Sequence, residues 1–212
     1  MLRWTWVRYA AAVMALAPAL AQADNTPQST PYAQNWANVG LITANDDWSL
    51  VPGVVGYLGD NAATSTTGVD PQTLLADYIL GATPSAVDVI ANQSSPNTVT
   101  AGGVGEFDGI TNPVIALQGS GGADYPHVLL YVDMTNRQNL RVRYNVRDID
   151  GSADNAAQQV ALHFRVGATG SFTNVAAAYV ADATTGPSLA DLVTPVDVTL
   201  PASANNAPLV IL

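Results

Sequence analysis

Two stretches of the chain alternate strictly between apolar and polar side chains. Over 140–147, Leu140, Val142, Tyr144 and Val146 fall on one side, and Arg141, Arg143, Asn145 and Arg147 on the other. Over 159–166, Val160, Leu162, Phe164 and Val166 alternate with Gln159, Ala161, His163 and Arg165. A period of two means extended strand, because successive side chains leave opposite faces. One wet face marks an antiparallel sheet with its other side on a core. Runs rich in Val, Ile and Leu predict further strands at 53–58, 86–91, 113–118, 128–134 and 196–200, with Gly, Pro, Asn and Asp between them. Residues 71–80 and 188–192 are the two candidate helical turns, and no segment holds an i, i+3, i+4 apolar pattern beyond two turns. Short strands separated by turn formers predict an all-β fold: one antiparallel β-sandwich, jelly-roll-like, over 35–212.

Both ends of the chain read differently from the middle. Arg3 and Arg8 flank a start that passes into a small apolar run and then Ala21-Gln22-Ala23. Basic, apolar and small residues in that order predict a signal peptide over 1–23 and export from the cell. The apolar run is shorter than the about 20 residues a membrane span needs. Residues 24–34 are polar and proline-containing, and predict a flexible tether. At the other end, Leu209-Val-Ile-Leu212 follows the turn-like Pro201-Ala-Ser-Ala-Asn-Asn-Ala-Pro208. Four apolar residues there predict a strand that needs neighbours. The expectation is a sandwich lacking its last strand, and the alternative is a short edge strand.

Composition narrows the chemistry. The 212 residues carry a net charge of −10 and no cysteine, so disulfides and thiolate chemistry are excluded. All seven cations are Arg and Glu106 is the one Glu, which excludes a P-loop lysine, a Schiff base and a Glu–Glu glycosidase pair. A strongly acidic chain is also a poor general coat for nucleic acid. No H-E-x-x-H or G-x-S-x-G motif occurs, and no catalytic residue is assigned.

Three constellations remain as binding candidates. Asp148, Asp150 and Asp154 lie around Gly151, with Asn155 following, and supply the oxygens a Ca²⁺ ion would take. The EF-hand pattern fails, because Ser152 holds the fifth position and no Glu closes the loop, so a solvated Asp-Gly turn is the competing reading. Asn45-Asp46-Asp47 is a second oxygen-rich cluster. Arg141, Arg143, Arg147 and Arg165, with His163, would form one basic stripe if the two alternating strands pair. Such a stripe suits phosphate or an acidic polysaccharide. The competing reading pairs these cations with Asp133, Asp197 or the loop acids. Trp36 and Trp48 are candidate sugar-stacking surfaces, with core packing as the alternative.

The segment Ala161-Leu-His-Phe-Arg-Val-Gly-Ala-Thr-Gly170-Ser-Phe172-Thr173, then Ala181-Asp-Ala-Thr-Thr-Gly-Pro-Ser-Leu189 and Val193-Thr-Pro-Val-Asp-Val-Thr-Leu-Pro201, carries a resemblance. It resembles β-sandwich modules near the N-terminus of large secreted bacterial proteins. Among these are extracellular nucleases of the endonuclease/exonuclease/phosphatase superfamily. Asn35-Trp-Ala-Asn-Val-Gly and Asn45-Asp-Asp-Trp48 fit the same pattern. The resemblance implies an accessory domain for adhesion or substrate targeting, with a glycan or nucleic acid as partner. It carries no catalytic residue over. The alternatives are the N-terminal part of a secreted endonuclease and a stand-alone carbohydrate-binding jelly roll.

Overall fold

The computed structural model describes residues 22–59, 69–75, 87–98, 101–150, 157–184 and 193–212. The fold is all-β: among these residues, helical structure is confined to 3-10 turns of three residues. The strands are β1 (Gln22–Ala23), β2 (Gln28–Ser29), β3 (Asp47–Trp48), β4 (Val54–Tyr57), β5 (Gly103–Phe107), β6 (Val114–Gln118), β7 (His127–Asp133), β8 (Arg141–Arg147), β9 (His163–Val166), β10 (Thr173–Asn174), β11 (Val193–Thr199) and β12 (Val210–Ile211). No described helix is long and apolar enough to cross a membrane.

The central sheet runs β10-β9-β12-β7, and β2 and β4 share the far edge of β7. The terminal run Leu209–Leu212, expected to lack partners or to form an edge, lies between β7 and β9. Val210 pairs with Val132 on one side and Val166 on the other, and Ile211 pairs with Tyr131 and Arg165. Both faces of this sheet are covered. Leu129, Tyr131 and Ile211 point into one core with Trp48, Val55 and Val104. Val132, Val210, Leu212 and Phe164 point into a second core with Val196 and Val198. Strands covered on both faces read as continuous apolar runs, which is why 128–134 and 209–212 do not alternate.

The sheet continues beyond β4 through the segment 87–93. Asp88 N–H donates to Gly56 O, Ile90 N–H to Val104 O, and Glu106 N–H back to Ile90 O. That segment joins β4 to β5, and β5 pairs antiparallel with β6. Residues 24–34 are not wholly free of the body either: Gln28–Ser29 pairs in parallel with Val132–Asp133, and Gly53 N–H donates to Asp24 O. Of the predicted helical turns, Pro71–Thr73 forms one 3-10 turn, capped by the Asp70 carboxylate on Gln72 N–H at 2.9 Å. The rest of 71–80 from residue 76, all of 188–192, and residues 1–21 of the predicted signal peptide lie outside the described residues.

Candidate functional site

The alternation over 140–147 is realised, but its partner is not the strand at 159–166. β8 pairs antiparallel with β11 over seven residue pairs, Arg147 opposite Val193 through to Arg141 opposite Thr199. Val142 and Tyr144 face the second core beside Val196 and Val198. Burial pushes the Tyr144 phenol up to about 12. The outer face therefore carries Arg141, Arg143, Asn145 and Arg147 beside Val193, Pro195, Asp197 and Thr199. Arg141 grips Asp197 with two guanidinium nitrogens, Nε at 2.6 Å, and this hydrogen bonding holds the Asp197 carboxyl below its usual range. Arg147 donates to Asn112 O at 2.7 Å. Arg143 sits directly opposite Asp197, is exposed, and among the described residues forms no ion pair.

The five-cation stripe is therefore divided. β9 pairs with β12 and β10, which puts His163 and Arg165 on a different sheet from β8. Arg165 does not face solvent as the alternation predicts. It is 4% exposed, with its guanidinium carbon 4.6 Å from the Phe172 ring centroid and one nitrogen donating to Gly170 O at 3.1 Å. A cation stacked on an aromatic face inside the fold is a packing element. His163 lies opposite Asn174, and burial pushes its pKa down, so near neutral pH it is uncharged and supplies no cation. Among the described residues, His163 Nε2 and Asn174 Oδ1 are both buried without a hydrogen-bond partner, while Asn174 Nδ2 donates to Gln72 Oε1 at 3.2 Å. The stripe divides for a topological reason: pairing skips from β8 to β11, and the side of β9 that alternation assigns to water is covered by Phe172.

Trp48 is no sugar platform. It is fully buried, and its Nε1–H donates to Asp88 O at 3.0 Å. Trp36 is half-buried and meets Trp48 edge-on, ring centroids 6.3 Å apart, so both rings serve the first core. In the Asn45-Asp46-Asp47 cluster each residue closes a backbone contact through its Oδ1. Asn45 Oδ1 accepts from Ala91 N–H, Asp46 Oδ1 from Val89 N–H and Asp47 Oδ1 from Ser49 N–H. Asp148 Oδ1 accepts from Asp150 N–H at 2.9 Å, the self-closing turn expected of an Asp-rich loop. Asp154 lies outside the described residues, and among those described no three His, Asp or Glu side chains converge on a metal position.

Two further carboxylates carry structure that sequence reasoning did not find. Asp88 Oδ2 accepts from Val104 N–H at 2.6 Å, and Glu106 Oε2 accepts from Asn92 N–H at 2.7 Å. Together they clasp segment 87–93 to β5. Burial is the main cause that pushes both pKa values up. The available signal was Glu106 itself, a lone Glu between Gly105 and Phe107 in an otherwise uncharged run. The recess beside β5, lined by Ile90, Val104, Phe107 and Ala116, has a volume of about 20 Å³, room for one water molecule. No protein-family model, no curated protein and no solved structure matches the chain.

Proposed function

We propose that the chain is a secreted, non-catalytic β-sandwich accessory module that holds an extended acidic polysaccharide against the outer face of β8 and β11. The observation that carries this reading is the row Arg141, Arg143 and Asn145, all exposed, with the half-buried Arg147 at its end, on a ribbon whose other face is anchored in the core. Seven strand residues span about 23 Å, enough to meet several successive sugars of an extended chain. Arg143 is the contact that needs no rearrangement. Arg141 exchanges an exposed, salt-screened carboxylate for a ligand anion at little cost, and its planar fork suits uronate or sulfate groups. Export rests on the basic, apolar and small-residue order of residues 1–23, and the accessory role on the resemblance in 161–201.

The test is retention of the full chain on heparin, double-stranded DNA and a neutral glucan, at low and rising salt. The reading expects retention on the sulfated polysaccharide that weakens with salt and falls in an Arg141→Ala/Arg143→Ala double variant. Retention on DNA alone would move the function to nucleic-acid targeting. No retention at low salt, or retention the double variant leaves unchanged, overturns it.

A further inference from the structure

We infer that β6 is a self-association edge, on which a second copy of this chain adds its own β6 in antiparallel pairing. The backbone directions follow from the hydrogen bonds of β5. Glu106 sends its N–H to Ile90 and receives Gln93 N–H on its carbonyl, and Val104 O accepts from Ile90, so both residues point their backbone groups away from β6. The alternate residues Gly103, Gly105 and Phe107 therefore bond to Gln118, Ala116 and Val114. It follows that Ile115 and Leu117 aim their N–H and C=O groups outward. Among the described residues no strand or loop accepts them. An open row of backbone donors and acceptors is a template for another strand.

The side chains say which strand fits. Pairing about a two-fold axis at Ala116 puts small Ala116 opposite its own copy and Ile115 opposite Leu117 twice, with four backbone hydrogen bonds. That is the reciprocal pattern a two-fold interface requires. Ile115 packs on the first core, whereas Leu117, two residues on and on the same face, is 46% exposed. In the pair, each Leu117 is covered by the other copy's Ile115, so the core runs across the axis. Charge agrees: no charged residue lies between Asp108 and Asp124, on a chain whose net charge is −10. At this edge two acidic copies approach without bringing charged residues of β6 together.

Sedimentation velocity of the full chain over a wide concentration range tests this. The expected result is a reversible monomer–dimer equilibrium. Leu117→Lys, at an exposed position, and Leu117→Pro, which removes only an outward N–H, should each weaken it by about tenfold or more. Leu50→Lys, at an exposed position elsewhere, should leave it unchanged. Circular dichroism establishes that each variant is folded. A chain that stays monomeric at the highest concentration, or a dimer that both Leu117 variants leave intact, overturns the inference.

Discussion

Replacing Trp48 with Ala separates a core residue from a sugar-binding surface. The ring is fully buried among Val51, Val55, Val89 and Val104, and its N–H is the partner of Asp88 O. Truncating a buried aromatic costs about 3–5 kcal/mol, and the orphaned carbonyl adds about 1 kcal/mol or more. The edge contact with Trp36 contributes roughly another 0.5–1.5 kcal/mol. These terms overlap, so about 4–5 kcal/mol is the expected loss, most of the stability of an ordinary domain. Trp48→Phe keeps most of the apolar burial and loses the N–H, which predicts about 2 kcal/mol. The assay is urea unfolding followed by circular dichroism, comparing midpoints at constant slope. A cost below about 1 kcal/mol for Trp48→Ala, the range of ordinary surface substitutions, would refute the burial of Trp48 and reopen its role as an exposed stacking ring.

Two other substitutions test the packing around it. A Cβ at Gly56 would stand 2.5 Å from the Trp48 ring and 2.8 Å from Asp88 O, so Gly56→Ala should cost about 1–3 kcal/mol by overpacking; an unchanged urea midpoint would contradict that contact. Glu106 has a raised pKa in the fold, so the native state binds the extra proton between the unfolded and folded values. Its effect on stability is favourable at low pH and is lost as pH rises through the folded pKa. Glu106→Gln keeps an acceptor for Asn92 N–H, removes that loss, and should flatten the decline of melting temperature on the alkaline side of the carboxylate range. A pH profile identical to that of the unaltered chain would count against the burial of Glu106.

How much of this was legible in the sequence depends on how local the signal is. The alternation at 140–147 and the apolar runs at 113–118 and 128–134 became β8, β6 and β7, because each pattern records which faces are covered. β5 was missed because Gly-Val-Gly-Glu-Phe resembles a turn. Its glycines are there for close approach: a Cβ at Gly103 would collide with the Asp88 carboxylate. β1, β2, β3 and β10 are two residues each, too short for any period to show. The stripe failed for a non-local reason. Neighbouring strands in sequence pair more often than not, and here β8 pairs instead with a strand some fifty residues on. At Arg165 the local period gave the correct face and the wrong environment, since Phe172 and the first core cover the side of β9 that alternation assigns to water.

The central claim is that ligand meets the outer face of β8 and β11. The most direct measurement is a backbone amide NMR titration of the labelled chain with a heparin oligosaccharide at low salt. The account predicts shifts concentrated at Arg141, Arg143, Asn145, Asp197 and Thr199, fading as salt is raised. Shifts centred on Trp36 or Tyr125, or none at saturating oligosaccharide, would contradict it.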